Sequence, residues 1–273
     1  MTRMPPPENR SDGTDPVVDE TAPSRHPQSS ILEDHFGEEV AARYDDDDSE
    51  RFRSEAIDPT VEFLASYCAG GKALEFGIGT GRIALPLSLR GIEVTGIDLS
   101  RAMVARLESK PGGDQIESII GDFSATQAEG RFDLVYLVFN TIMNLTSQRR
   151  QVDCFKNAAA HLEPGGHFVV EVMVPALRRL PPGQTIHPFE VSDAHWGLDE
   201  YDTVRQGLVS HHLQETEEGL VRSSVPFRYV WPSEMDLMAE LAGLSLVGRW
   251  ADWNRDPFTE HSTAHVSVWR IVS

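Results

Sequence analysis

Residues 72–81 read Lys72-Ala73-Leu74-Glu75-Phe76-Gly77-Ile78-Gly79-Thr80-Gly81, an apolar run that passes directly into alternating glycines. The spacing predicts a short strand over 72–76 and a helix over 81–90. Glycines at every second position let the chain turn sharply between the two and bring backbone N–H groups close to a ligand with no Cβ in the way. A dinucleotide fingerprint needs Gly-x-Gly-x-x-Gly. Counted from Gly77, its third glycine would fall at Arg82, so that spacing fails.

Working outward, strands and helices alternate. Strands are predicted at 93–98, 116–120, 132–139 and 166–174, and helices at 100–109 and 147–161. This order implies an α/β fold with a parallel, doubly wound sheet. The nearly continuous apolar runs of 132–139 (FDLVYLVF) and 166–174 (GHFVVEVMV) fit strands covered on both faces. Upstream, 31–44 has helical spacing. Asp58-Pro59 predicts a helix start, with Asp58 as cap and Pro59 in the first turn, running to 69. Downstream of Pro175, 191–230 holds three stretches of strand character. The last two, joined by Glu217-Glu218-Gly219, read as an antiparallel hairpin. A helix over 232–242 and strands over 244–253 and 264–271 close the chain.

Residues 1–29 are rich in Pro, Ser and acid, and predict a disordered acidic tail. The core is expected at 30–175 and 231–273, and an antiparallel β extension at 176–230, serving the acceptor or a dimer. Residues 1–50 hold 14 acidic and 4 basic residues, and so ten of the nineteen net negative charges. Such a surface repels a phosphate backbone and argues against nucleic acid. The run Asp45–Asp48 reads as solvated charge, since four adjacent acids do not converge on one ion. Cys68 and Cys154, far apart and outside any metal-ligand spacing, read as buried reduced thiols, and no metal is expected. No secretion signal or membrane-spanning run of about 18 apolar residues is visible, which predicts a cytoplasmic protein away from membranes.

Three further features support the glycine loop. Asp98 ends the second predicted strand, where a carboxylate can accept both ribose hydroxyls. Gly121-Asp122-Phe123 follows the third, an acid and an aromatic ring side by side at a strand end. Phe132-Asp133-Leu134-Val135 and Leu162-Glu163-Pro164-Gly165-Gly166 complete the set. With Glu75 two residues before the first glycine, these motifs resemble the class I S-adenosylmethionine-dependent methyltransferases over about 40–175 and the closing strand pair. The resemblance implies a Rossmann-like seven-stranded sheet of order 3-2-1-4-5-7-6 with the last strand antiparallel. It also implies S-adenosylmethionine as cofactor. Glu75, Gly77, Gly79 and Gly81 would then hold the methionine part and Asp98 the ribose. Leu99 and Met103 would lie beside the adenine, and Asp122 and Phe123 on its other side. Asn140 would line the methyl-transfer pocket, and Tyr44 and Arg53 would come from an N-terminal segment that closes over the cofactor.

The acceptor is a different matter. A sulfonium-borne methyl group is already electrophilic, so the protein must mainly align, desolvate and remove a proton. Residues 139–145 (FNTIMNL) resemble the corresponding loop of small-molecule methyltransferases, amino-sugar N-methyltransferases among them. That implies a small acceptor methylated on nitrogen or oxygen by in-line displacement. His211, His212 and Asn144 are the candidates at the reacting centre, with Glu171 and His187 behind them. Neighbouring strand residues face apart, so at most one of the two histidines points into a pocket. Arg228 and Tyr229 suit either an acidic group such as a diphosphate or a surface pairing. Two readings compete: a non-catalytic S-adenosylmethionine-binding module, and an NAD-dependent oxidoreductase, which Arg82 disfavours. A homodimer through paired hairpins fits the extension.

Overall fold

A computed structural model describes residues 36–45, 54–69, 71–216 and 219–272. The expected tail at 1–29, Arg53 and Asp46–Asp48 lie outside the described residues. The elements are α1 (Glu38–Tyr44), α2 (Ser54–Ala65), β1 (Lys72–Phe76), α3 (Ala84–Ser88), β2 (Glu93–Asp98), α4 (Arg101–Glu108), β3 (Glu117–Ile120), β4 (Phe132–Leu137), α5 (Gln148–His161) and β5 (Leu162–Met173). They continue with β6 (Ile186–Val191), β7 (His195–Asp202), β8 (Gly207–Thr216), β9 (Gly219–Arg228), α6 (Pro232–Leu241), β10 (Leu244–Trp250) and β11 (Ala264–Ile271).

Seven strands form one sheet in the order β10-β11-β5-β4-β1-β2-β3. Numbered among themselves these are 6-7-5-4-1-2-3, the order expected. β1 through β5 pair in parallel, and β11 pairs antiparallel with both β5 and β10. In the central strands Leu74, Phe76, Leu134, Val135, Val169 and Val170 are fully buried, so both faces of the sheet are covered, as βαβ crossovers require. Among the buried polar side chains, one pair lies on the closing strand. His265 on β11 is fully buried, and its Nδ1 lies 2.8 Å from the Ser267 hydroxyl. Burial pushes its pKa down to about 3, and the Arg249 charge acts in the same direction.

Local boundaries depart from the pattern in several places, β5 for example starting at Leu162 rather than 166. α2 starts at Ser54, so Pro59 lies inside the helix and not in its first turn. The early start puts Ile57, Val61 and Leu64 on one face against the core. α3 is only five residues long. Pro86 inside it has no N–H to give the Arg82 carbonyl, so one bond is missing between those from Leu85 to Gly81 and from Leu87 to Ile83. β4 ends at Leu137 because Phe139 and Asn140 both take left-handed conformations, φ 57° and 61°. β10 ends at Trp250.

A second sheet has four strands, β6-β7-β8-β9, all antiparallel. The β8–β9 hairpin is the one expected, with Thr216 opposite Gly219. β6 was not expected: it lies upstream of the 191–230 stretches read as strand, and Pro188 within it has no N–H for a ladder. β6 is an edge strand, the one place where a missing N–H leaves no partner unsatisfied, and the register shifts beside Pro188. Arg228 makes no surface pair, and it is not among the residues that line the cavity at the carboxyl ends of β1 and β4. It is 5% exposed and donates to Gln151 of α5 and, at 2.8 Å, to Glu234 of α6, so it ties the second sheet to the helices.

Candidate functional site

The carboxyl ends of β1 and β4 open on a cavity of about 320 Å³. Its floor is the glycine loop. Gly77 sits at φ +74°, and a Cβ built there would lie 2.5 Å from the Thr141 methyl group, so only glycine leaves room. A Cβ on Gly79 would meet no heavy atom within 4 Å, so the loop presents bare backbone to the space above it. The Gly79 N–H donates to Asp98 Oδ2 at 2.7 Å, and the Ser100 N–H donates to Oδ1 at 2.8 Å. Asp98 thus clamps the loop to the start of α4 through the ends of β1 and β2.

Glu75 lies under the loop and is 2% exposed. The Tyr136 hydroxyl donates to its Oε2 at 2.9 Å. Burial pushes the Glu75 carboxyl up to about 8, with the Tyr136 bond and the Arg82 charge pulling the other way. A carboxyl so poised is neutral alone and ionises readily when a cation approaches.

The remaining walls come from three segments. Phe36 precedes α1 and Tyr44 ends it, and their rings meet edge-on at 6.4 Å. The segment is anchored at both ends. The Ser100 hydroxyl donates to the Phe36 carbonyl at 2.6 Å, and Arg106 donates to the Ala42 carbonyl at 3.0 Å. Asp45 accepts from the Thr80 hydroxyl at 2.7 Å and pairs with Lys110 at 2.9 Å. Asp45 is therefore a clasp residue, and the reading of it as solvated charge fails. Its neighbour in space, Thr80, is itself part of the glycine loop.

The loop after β4 forms the second wall. Phe139 N–H donates to Glu171 Oε2 at 2.8 Å, and Asn140 Oδ1 accepts from the Met173 N–H at 2.7 Å. These bonds hold two consecutive residues left-handed, a strained arrangement for a phenylalanine. The Arg82 guanidinium covers the Phe139 ring at 4.7 Å. Asn144 also lines the space, and its Nδ2 donates to the Thr141 carbonyl.

The third wall belongs to the second sheet. Ser210 and His212 of β8, with Val225 and Phe227 of β9, face the cavity. His211 faces the other way, toward Ser224 Oγ at 2.7 Å and Glu200 at 3.4 Å. Of the residues named from sequence, the cavity therefore gathers Tyr44, Glu75, Gly77, Gly79, Asn140, Asn144 and His212. Gly81, Asp98, Leu99, Met103, Asp122, Phe123 and His211 are not among its lining residues. Gly81 and Asp98 support the loop. Leu99 is half-buried and Met103 buried beside Ser100, which caps α4. The Asp122 carboxylate is held by Ser124 and by Arg150 at 2.7 Å. Phe123 stacks on Phe76, centroids 5.8 Å apart. Sequence reasoning gave no site role to Phe36, Asp45, Arg82, Lys110, Val225 or Phe227. Only Arg82 carried a signal, as the residue directly after the glycine loop.

Comparison with known proteins agrees with this geometry. A family model described as a methyltransferase domain matches residues 73–166. The structure of the CcbJ methyltransferase from Streptomyces caelestis is 36% identical. It superposes with a TM-score of 0.77 over 87% of this chain and 98% of that one. The cypemycin N-terminal methyltransferase of a Streptomyces species is 26% identical over 196 residues, 71% of this chain and 80% of that protein. CalS10, an amino pentose methyltransferase from Micromonospora echinaspora solved with S-adenosylmethionine bound, has a TM-score of 0.62. It covers 85% of this chain and 96% of that one, and at 20% identity it bears on the fold alone.

Proposed function

Because the chain belongs to the S-adenosylmethionine-dependent methyltransferases, we propose that it methylates an amine nitrogen of a small metabolite held between the glycine loop and the second sheet. One observation carries this reading: a single cavity is lined at once by Gly77 and Gly79 and by His212 and Phe227. The bare backbone at Gly79 and the buried Glu75 beneath it suit the cofactor's amino-acid end, since a neutral buried carboxyl ionises against an ammonium group.

S-adenosylmethionine, when bound, supplies a methyl group made electrophilic by its sulfonium. The rest falls to the chain. Glu75 and the loop hold the amino-acid end, and Asp98 keeps the loop in shape with an edge toward a ribose. Tyr44 and Phe36 close one side and exclude water. Phe227 and Val225 give the acceptor an apolar wall, and His212 receives a proton from it. Among the three candidates, His212 is favoured over His211, which faces away, and over Asn144, an amide that does not act as a base. The relatives include both an N-terminal methyltransferase and ubiquinone biosynthesis O-methyltransferases, so the preference for nitrogen rests on charge. The net charge of −19 draws cationic acceptors. The same charge supports the expectation that nucleic acid is not a partner. No helix among the described residues is long and apolar enough to cross a membrane, and a cytoplasmic setting and a homodimer through the second sheet remain part of the proposal.

The test incubates the protein with methyl-labelled S-adenosylmethionine and a panel of amino sugars, amino acids and short peptides, beside their hydroxyl counterparts. Label on an amine, with transfer slowed in His212→Ala, is the expected result. Label on hydroxyl acceptors alone would overturn the nitrogen assignment. Full cofactor binding without transfer to any member would favour the non-catalytic reading.

A further inference from the structure

We propose that Tyr136 is a positioning residue of the cofactor site. Its hydroxyl governs the ionisation of Glu75, so that arrival of the cofactor's ammonium group drives one proton from that carboxyl into solvent. The proposal rests on the family's cofactor and on nothing about the acceptor. Tyr136 and Glu75 are register partners on the adjacent parallel strands β4 and β1, so their side chains rise from the same sheet face. Tyr136 is fully buried, Glu75 is 2% exposed, and the hydroxyl donates to Oε2 at 2.9 Å. On the other side of Glu75 its register partner is Gly96 of β2, where the Ile78 side chain fills the space a Cβ would take. Tyr136 belongs to an apolar cluster with Ala73, Leu134, Val138 and Val169. Glu75 is nevertheless among the residues that line the cavity above the glycine loop. One side of the carboxyl meets the ligand space, and the rest lies in dry packing.

An ionised carboxylate in such packing has lost its water and must be held by donors. Tyr136 supplies a hydrogen bond from β4. The Arg82 charge and the Ala84 amide, at the head of α3, favour the ionised form as well, and the Asp98 charge at the end of β2 opposes it. Burial outweighs the donors and pushes the carboxyl up to about 8, so at neutral pH it carries a hydrogen. Burial, with the Glu75 charge and Cys68 adding to it, also holds the Tyr136 hydroxyl well above its ordinary range. The Cys68 thiol is itself pushed up to about 12 by burial. Neither group loses its hydrogen near neutral pH, and Tyr136 therefore acts as a donor throughout. Across the cavity stand Tyr44 and His212.

When the ammonium arrives, the Glu75 O–H bond breaks, the electron pair stays on the carboxylate and the proton passes to water or buffer. The Tyr136 bond becomes charge-assisted and strengthens. The hydroxyl thus lowers the cost of ionisation, and the ammonium supplies the rest. A nucleoside without an amino-acid end leaves the proton in place and gains nothing from Tyr136. A hydroxyl that merely packs β4 against β1 would behave otherwise: its loss would weaken every ligand alike, at every pH.

Calorimetric titrations from pH 6 to 9 separate the two, with S-adenosylhomocysteine and with 5′-methylthioadenosine, which lacks the amino-acid end. S-adenosylhomocysteine should bind the wild type about tenfold more tightly per pH unit up to the carboxyl's midpoint. At pH 7 its binding heats in phosphate and in Tris should differ by the ionisation heat of close to one proton. Glu75→Gln should release none, which assigns the proton to Glu75 and not to His212. Tyr136→Phe should bind S-adenosylhomocysteine about tenfold more weakly at pH 7 and only about twofold at pH 9, a ratio in which the ligand's own amine cancels. Its affinity for 5′-methylthioadenosine should match the wild type throughout. Replacing tyrosine by 3-fluorotyrosine, a stronger donor of nearly the same shape, should move the midpoint to lower pH, and it tests the bond even where Tyr136→Phe does not fold. A pH-independent loss in Tyr136→Phe, an equal loss for both ligands, an unmoved midpoint with fluorotyrosine, or no proton released by the wild type would overturn the proposal. Failure of both ligands to bind the wild type would instead remove the cofactor reading beneath it.

Discussion

The Thr80 hydroxyl donates to the Asp45 carboxylate at 2.7 Å, joining the segment before the core to the middle of the glycine loop. Lys110 reinforces the join by touching both partners, Asp45 at 2.9 Å and the Thr80 carbonyl at 2.7 Å. Asp45→Ala removes both bonds at a partly exposed site. Global stability should change by less than about 1 kcal/mol, since such pairs are well screened. S-adenosylmethionine affinity should fall several-fold, about 1 kcal/mol, because the closing segment loses its latch. Calorimetry and thermal melts on the same variant check the split. Equal losses in both would mean that the clasp serves folding alone.

Glu75 makes stability depend on pH in an unusual direction. Its folded carboxyl lies near 8 and its unfolded one near 4.5. The folded state therefore binds the extra proton between these values, and stability falls as pH rises from about 4.5 to about 8. Glu75→Gln mimics the protonated form and should flatten that slope. The same variant should bind S-adenosylmethionine at least tenfold more weakly, because a neutral amide cannot answer an ammonium. Denaturant melts from pH 5 to 9 and calorimetric titrations read the two effects separately.

Gly77 and Thr141 test the loop by steric relief. Gly77→Ala adds a Cβ 2.5 Å from the Thr141 methyl group in a left-handed conformation. It should cost about 1–3 kcal/mol from strain and overlap. Adding Thr141→Ser removes the methyl group and should recover part of the loss, leaving the conformational cost. No recovery in the double variant, measured by chemical denaturation, would show that the overlap is absorbed elsewhere.

His265 should make the fold acid-sensitive. Its folded pKa is near 3, against an ordinary value of 6.5. The unfolded chain takes up a proton that the folded chain refuses, so stability falls as pH drops from about 6.5 toward 3. His265→Gln keeps a polar group beside Ser267 and cannot protonate. Its melting curve should lose less on acidification than that of the wild type, a difference seen in urea midpoints at pH 7 and pH 5.

The core was legible because it rests on periodic signals. Alternating strand and helix patterns led to the sheet order, and the glycine loop and Asp98 stand where the motif put them. β8 and β9 were legible as a hairpin by their turn. β6 was not, because the tolerance of an edge strand for Pro188 depends on its neighbours, which composition does not carry. Asp45 was misread for a related reason: its partners, Thr80 and Lys110, are 35 and 65 positions away, and nothing local distinguishes it from three adjacent acids. His211 and His212 could be separated only as facing apart. Which one looks inward depends on how the second sheet docks, through Arg228 and Glu234.

That docking has a wider consequence. The four-stranded sheet shares no ladder with the seven-stranded one, and it leaves and rejoins the core between β5 and α6. The half of the cavity it contributes is thus carried on a separate ladder from the half that holds the glycine loop, although Tyr201 and Leu208 join the common core. If the proposed function holds, substitutions at Ser210, Val225 or Phe227 would retune which molecule is admitted while Gly77, Gly79 and Asp98 stay untouched. Descendants of one ancestral chain could therefore diverge in what they modify without rebuilding how they modify it.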